Sequence, residues 1–310
     1  MACGQLGQLA GWSPFRTGRE ACPTCDNAEV ELRFIRLGEI EIAAWDWPGA
    51  GPPILFAHAA GFHARCWDQV VRALPGRRSV AVDLRGHGRS SKPAPPYPWR
   101  RFGEDLAGVA DALGLAGAIG VGHSMGGHSM VSAACLRPAA LAALLLIDPT
   151  IFPPERYGQK PFDASFVLKR RNRWASPQEM FERFRSRPPF VSWQPEVLRD
   201  YCQFGLLPDG DGFVLACPPP IETAIYSQST APDSNLYPEI PALEQPVTIL
   251  RAGKPQGPEV SILSLSPTAP DLAAKFRRGR GLPLPDHDHY IPMADPELVA
   301  REISLLLAQL

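Results

Sequence analysis

A chain of 310 residues with 31 Lys and Arg against 32 Asp and Glu carries a formal net charge of −1. With no long basic run, it offers nucleic acid no electrostatic footprint. Its 45% hydrophobic and 20% charged residues suit a globular chain long enough to bury a sizeable core. No apolar run reaches the roughly 18 residues of a membrane span. The first residues lack a basic start followed by an apolar stretch, so a cytoplasmic location is expected.

Residues 1–29 show no periodicity and read as a tail. They contain Cys22-Pro23-Thr24-Cys25, with only Cys3 close in sequence. A zinc site needs more ligands, and a redox motif needs a preceding strand, so the pair reads as part of the tail. The seven cysteines are odd in number and widely spread, unlike a disulfide framework. From Glu31 the pattern changes: "ELRFIRL" and "EIEIAAWDW" predict two strands joined near Gly38. "PPILFAHA" predicts a strand buried on both faces, "CWDQVVRALP" a short helix and "RSVAVDL" the next buried strand. Phe102, Leu106, Val109 and Leu113 share one face of an amphipathic helix. "GAIGVGHS" is a strand, "MGGHSMVSAACL" a helix and "LAALLLIDP" a strand.

Between residues 151 and 241 this alternation stops. Such a segment, roughly ninety residues long, exceeds a plain loop and reads as an inserted, mainly helical lid. Ser176-Pro177-Gln178-Glu179 is a capping box with Pro at the first helical position, and "QPEVLRDYCQF" predicts a second helix. "LPDGDGFVLACPPP" predicts a turn with short strands. The alternation resumes with "QPVTILRAG" as strand, "APDLAAKF" as helix and "GLPLPD" as strand. A last helix starts at the Asp295 cap. Strands alternating with helices imply a mostly parallel, doubly wound α/β sheet, with a core of residues 30–150 and 242–310 and the lid between.

Gly122-His123-Ser124-Met125-Gly126 matches G-x-S-x-G between a predicted strand and a predicted helix. Such a turn lifts the serine hydroxyl above the carboxyl ends of the strands, where open α/β sheets bind ligands. It also leaves the Met125 amide free to donate to a developing oxyanion. "HAAGF" follows the third predicted strand, and its loop offers a second donor, the amide of Ala60, with Ala59 as the alternative. His58, and Arg85 and His87 in "DLRGHGRS", read as loop braces. The base is expected late, at His289 rather than His287, on the loop before the last helix. His63 and Phe62 stand near the proposed oxyanion loop and are expected to line a pocket.

The ordered set "HAAGF", "DLRGHGRS", "GHSMGG" and "DHYIPMADPELVA" resembles the α/β-hydrolase superfamily over residues 30–310. Within it the chain is similar to the serine-using esterase, lipase and carbon–carbon hydrolase branch. Haloalkane dehalogenases and epoxide hydrolases carry aspartate at the elbow. The resemblance implies an eight-stranded sheet, a lid after the sixth strand, and a Ser–His–acid triad with no cofactor and no metal. In most members the acid follows the seventh strand, but "ILRAGKPQGPEV" holds no acid there before Glu259. Asp148, directly after "LAALLLI", emerges at the same sheet edge as Ser124, and some dehalogenases of similar fold place their acid there. Asp148 and Glu259 are therefore the two candidates.

The expected activity is hydrolysis of a carboxylic ester or lactone through an acyl-enzyme. The alternatives are carbon–carbon hydrolysis of a diketone by the same residues, or a binding protein with a degraded triad. The partner is a small molecule; the sequence says nothing of oligomeric state. Aromatic residues crowd the predicted lid. Trp174 and Trp193 among them are expected to line the pocket and to favour small to medium hydrophobic esters over charged ones. A charged substrate would instead need Arg170, Arg171 or Arg173 as its clamp.

Overall fold

The computed structural model describes residues 15–20, 30–253 and 264–310. In chain order it begins with β1 (Phe15–Glu20), β2 (Val30–Leu37) and β3 (Ile40–Trp47). The predicted hairpin is formed by β2 and β3, and its turn uses Gly38 at φ +62, a left-handed conformation that suits glycine. There follow β4 (Ala50–Ala57), α1 (Asp68–Arg72), β5 (Arg77–Val82), α2 (Trp99–Leu113), β6 (Ala118–His123), α3 (Met125–Leu136) and β7 (Leu141–Ile147). The last part of the chain adds β11 (Val247–Ala252), β12 (Gly279–Leu284), α7 (Ile291–Ala294) and α8 (Pro296–Leu307).

These strands form one sheet in the order β1-β2-β3-β5-β4-β6-β7-β11-β12. The first three pairings are antiparallel and the rest parallel. The central parallel strands are apolar on both faces because helices cover both, while β12 forms an exposed edge. Leu55, Val80, Val82, Leu144 and Leu146 pack on one side with Phe102 and Leu106 of α2 and Met130 of α3. Ile54, Phe56, Val121, Leu145 and Ile147 pack on the other with Val70 of α1 and Val299 and Ile303 of α8.

Between β7 and β11 lie β8 (Arg173–Trp174), α4 (Pro177–Phe184), α5 (Pro195–Phe204), β9 (Leu206–Asp209), β10 (Gly212–Leu215) and α6 (Pro219–Ser227). The three strands make a separate small sheet, β8-β10-β9. The capping box forms as expected: the Ser176 hydroxyl accepts from the Glu179 amide at 3.0 Å. The Glu179 carboxylate reaches one residue further back than usual, to the Ala175 amide at 2.9 Å.

Three elements depart from expectation. Residues 15–20, read as tail, pair antiparallel with β2 and make a ninth strand; "FRTGRE" has no apolar alternation, so its pairing is a backbone matter that the pattern hides. "APDLAAKF" yields only a 3₁₀ turn, Leu272–Lys275, too short for a helix nucleus. Finally, α6 was hidden behind the prolines of "CPPPIETAIYS", which open the helix rather than block it. The Cys22–Cys25 pair and Glu259 lie outside the described residues. Among the described residues no helix is long and apolar enough to cross a membrane.

Candidate active site

Parallel register brings the carboxyl ends of β6, β7 and β11 to one edge: His123 is opposite Ile147, and Ile147 opposite Leu250. Ser124 follows β6 at φ 56, ψ −119, a strained conformation for a residue with a Cβ. The flanking glycines are required by space. A Cβ on Gly122 would lie 2.4 Å from the Gly126 carbonyl oxygen, and one on Gly126 would lie 2.2 Å from the Ala57 carbonyl oxygen. This crossing of strand and helix fixes where the serine side chain emerges.

Asp148 follows β7, also left-handed at φ 42, with its amide donating to the Leu250 carbonyl at 2.7 Å. His289 lies between β12 and α7. Its Nδ1 is 2.7 Å from Asp148 Oδ2, and its Nε2 is 2.9 Å from Ser124 Oγ. The structure therefore joins Ser124, His289 and Asp148 in one chain of contacts. His287 stands apart, 3.6 Å from Asp295. The other carboxylate oxygen of Asp148 accepts from Ser266 Oγ at 2.5 Å and the Ala252 amide at 3.1 Å, and shares the Thr268 hydroxyl proton, at 3.0 Å, with the Pro149 carbonyl at 2.8 Å. Burial pushes this carboxyl up, but the His289 hydrogen bond and charge, with the Ser266 and Ala252 donors, outweigh it and hold the pKa below the ordinary value. Asp148 is thus an ionised acceptor. His289 then donates from Nδ1 and presents the lone pair of Nε2 to the serine hydroxyl.

Thr150 was not anticipated. Its Oγ1 is 3.1 Å from Ser124 Oγ, and its amide donates to the Ser124 carbonyl at 3.0 Å. With the serine proton directed to His289, the threonine hydroxyl is the donor in this contact. It holds Ser124 Oγ in line with the imidazole. Losing one such bond costs about 1 kcal/mol, so Thr150→Val is expected to lower kcat/KM about fivefold, with Thr150→Ser close to the parent. Steady-state kinetics on an ester that labels Ser124 checks this; an unchanged Val variant removes the positioning role. Ser266 and Thr268 were also missed. Nothing in "SLSPTAP" marks them beyond being hydroxyl residues.

The loop after β4 is braced by two histidines. His58 accepts from the Leu84 amide at Nε2 (3.0 Å) and donates from Nδ1 to the Ala59 carbonyl (2.7 Å). His87 accepts from the Gly61 amide at Nε2 (3.0 Å) and donates from Nδ1 to the Arg85 carbonyl (2.9 Å). Arg85 itself pairs with Asp105 at 2.6 Å. Between these anchors the Ala60 amide has no hydrogen-bond partner among the described residues. Met125 opens α3, where a helix amide lacks an intrahelical carbonyl. His123 Nε2 donates to the His289 carbonyl at 2.8 Å, so it steadies the loop that carries the imidazole.

The buried imidazoles of His58, His63, His87, His123 and His128 are neutral when folded. Burial lowers His58, His63 and His128 to about 4 and His123 to about 3, and it takes His87 well down too. An unfolded histidine takes its proton near pH 6.5 (approximately the free value). Below that pH the unfolded chain binds protons that the folded chain refuses, so stability falls as pH falls. Asp105 and Glu222, whose carboxyls burial raises, act in the opposite sense, while Asp83 and Asp148, held low, act in the same sense. Denaturant unfolding is therefore expected to show stability dropping steeply from about pH 7 to about pH 5, by up to about 1.4 kcal/mol per pH unit for each histidine. A flat profile would contradict neutral burial.

Ser124 opens into a cavity of about 890 Å³, lined also by Thr150, His289, Ala59 and Ala60. Phe62, Trp174 and Trp193 line it. One expectation needs correction. His63 does not line it: the buried ring is stacked on Tyr201 at 5.8 Å, with Nε2 bonded to the Tyr201 carbonyl at 3.1 Å. Met125, expected to act through its backbone amide, has its side chain fully buried. Arg170 and Arg171 line the cavity, whereas Arg173 lies outside it and pairs with Asp209. Among the described residues no cluster of three or more His, Cys, Asp or Glu is placed to hold a metal ion.

A doubly wound sheet with a strand–Ser–helix elbow at its carboxyl edge defines a class. A sequence model of the alpha/beta hydrolase family matches residues 54–302, and the chain belongs to that family. Among its relatives is the 2-(acetamidomethylene)succinate hydrolase of Mesorhizobium japonicum. The two are 26% identical over 283 residues, 88% of this chain and 93% of the relative. The bifunctional esterase/perhydrolase of Acinetobacter calcoaceticus is also 26% identical, over 85% of this chain and 95% of its own length. The crystal structure of an E-2-(acetamidomethylene)succinate hydrolase shares the fold, with a TM-score of 0.70 at 22% identity, covering 90% of this chain and 99% of the other.

Proposed function

We propose that this chain is a serine hydrolase that cleaves a carboxylic ester or a closely related acyl bond. The observation that carries the reading is the unbroken contact chain Ser124–His289–Asp148 at the floor of a cavity. Ser124 Oγ attacks the substrate carbonyl while His289 Nε2 takes its proton, and Asp148 stabilises the resulting imidazolium. The amides of Ala60 and Met125 donate to the oxyanion. The imidazolium returns the proton to the leaving oxygen as the carbon–oxygen bond breaks. A water, deprotonated by the same imidazole, then releases the acid from Ser124.

In this reading residues 151–241 are a lid. The aromatic residues that line the cavity, among them Phe62, Trp174, Phe190 and Trp193, fit a small to medium apolar substrate. Relatives named as an esterase and as a hydrolase of an acetamidomethylene succinate support acyl-bond hydrolysis as the reaction class. The test is fluorophosphonate labelling together with turnover of para-nitrophenyl esters of graded acyl length. Label on Ser124 with burst kinetics supports the reading. A diketone turned over far faster than any ester would move the activity to carbon–carbon hydrolysis, and no label with no turnover would leave a binding protein.

A further inference from the structure

The wall of the cavity has a charge that the chain as a whole lacks. Lys and Arg number 31 against 32 Asp and Glu overall, yet the cavity lining includes seven Lys or Arg and two Glu. Two of these cations have carboxylate partners. Arg170 pairs with buried Glu222 and donates to the Tyr201 hydroxyl at 3.0 Å. Arg171 pairs with Glu179 at 2.5 Å and lies 4.2 Å over the Trp174 ring. The other five, Arg156, Lys169, Arg183, Arg187 and Arg251, make no ion pair among the described residues. Arg183 feels Glu179 only at longer range.

Four of the five come from the segment between β7 and β11, and the fifth from β11 itself. Arg156 follows β7 and Arg251 lies near the end of β11, beside the segment that holds Asp148. Arg251 is half-buried and, among the described residues, donates from its Nε to the Thr268 carbonyl at 3.2 Å. Lys169, Arg183 and Arg187 come from the segment around β8 and α4 and are exposed. Solvated surface cations are ordinary when carboxylates are interspersed with them. Here Glu222 and Glu179 are taken up by Arg170 and Arg171, leaving Glu155 as the one other carboxylate in the described lining against five cations, and a cleft in which one sign of charge predominates focuses its field on whatever enters. The same cavity presents aromatic surface, so it suits a molecule that is apolar in its body and anionic at one end.

We propose that the substrate of this site carries a carboxylate: an acyl compound with an apolar body whose negative end is received by this cationic lining. The inference rests on the serine-hydrolase reading for its chemistry and adds a charge to the substrate that aromatic crowding alone did not suggest.

The test uses two matched pairs in low-salt buffer. In one the charge is on the acyl side: mono-para-nitrophenyl adipate against para-nitrophenyl hexanoate. In the other it is on the leaving side: para-butanoyloxybenzoate against its methyl ester. In at least one pair the anion is expected to lead by about tenfold or more in kcat/KM, and the lead should shrink as salt is added. Either Arg156→Gln/Arg251→Gln or Arg183→Gln/Arg187→Gln should then cut the anionic-to-neutral ratio about tenfold. These side chains are exposed or half-buried, so folding is expected to survive. Calorimetric binding of the same compounds to Ser124→Ala protein reads the charge preference without turnover. Ser124-dependent turnover with no anionic lead in either pair overturns the proposal and leaves the hydrolase reading standing. A ratio that neither double variant lowers also overturns it. Tighter binding of the anions with no turnover of any compound supports the charge preference and overturns the hydrolase reading.

Discussion

Replacing Ser124 with alanine is expected to reduce ester turnover by at least about 10³-fold while the protein stays folded, because no other group can form the acyl-enzyme. The nearest hydroxyl, that of Thr150, contacts Ser124 Oγ at 3.1 Å but makes no hydrogen bond to His289. It therefore has no base to take its proton. The backbone should be unaffected, since Ser124 already sits at φ 56 with a Cβ and alanine asks for nothing more. Its amide still donates to the Ile147 carbonyl at 3.0 Å and its carbonyl still accepts from Thr150. Rates on para-nitrophenyl butanoate, fluorophosphonate labelling and circular dichroism measured together check this. A folded variant that hydrolyses the ester near the parent rate would remove Ser124 from the mechanism.

Much of this site was legible because its physics is local. G-x-S-x-G between an apolar run and a helix admits few structures, and the contacts that a Cβ would make at Gly122 and Gly126 show why. Asp148 was readable as a strand-end residue, and parallel pairing alone takes such residues to one edge. Contacts made over long stretches of sequence were not legible. The donors to Asp148 from Ser266 and Thr268 cross about 120 residues, and no periodicity reports them. His63 was misread for a related reason: its neighbour Phe62 does line the cavity, but in a tight turn adjacent side chains part, and the imidazole turns back to the Tyr201 carbonyl. The cationic lining escaped notice because its members are scattered from Arg156 to Arg251 in a chain of balanced charge. Only folding gathers them.

The proposed role of Asp148 yields the second large effect. Asp148→Asn is expected to cost about 10²- to 10⁴-fold in turnover with the fold retained, and Glu259→Gln to be nearly silent. The hydrogen bonds around the carboxylate explain why an isosteric amide is not a mild change. One oxygen accepts from Ser266, Thr268 and the Ala252 amide. In the Asn variant the amide oxygen must keep that place, because an amide NH₂ there would face three donors. The NH₂ is then turned towards His289 Nδ1, where the parent has an acceptor 2.7 Å away. The imidazole answers by placing its proton on Nε2, facing the Ser124 hydroxyl it should deprotonate. The wrong tautomer is thus locked in from both sides, and flipping the amide exchanges one conflict for another. Relaxing the lock should restore part of the rate. Asp148→Asn combined with Ser266→Ala and Thr268→Val removes two of the three donors, and it is expected to recover up to about tenfold over Asp148→Asn alone. Kinetics on one ester across the parent, the single variant and the triple variant measures this. A silent Asp148→Asn beside a crippled Glu259→Gln would transfer the acid's role to the seventh-strand loop and leave Asp148 as the residue that ends β7.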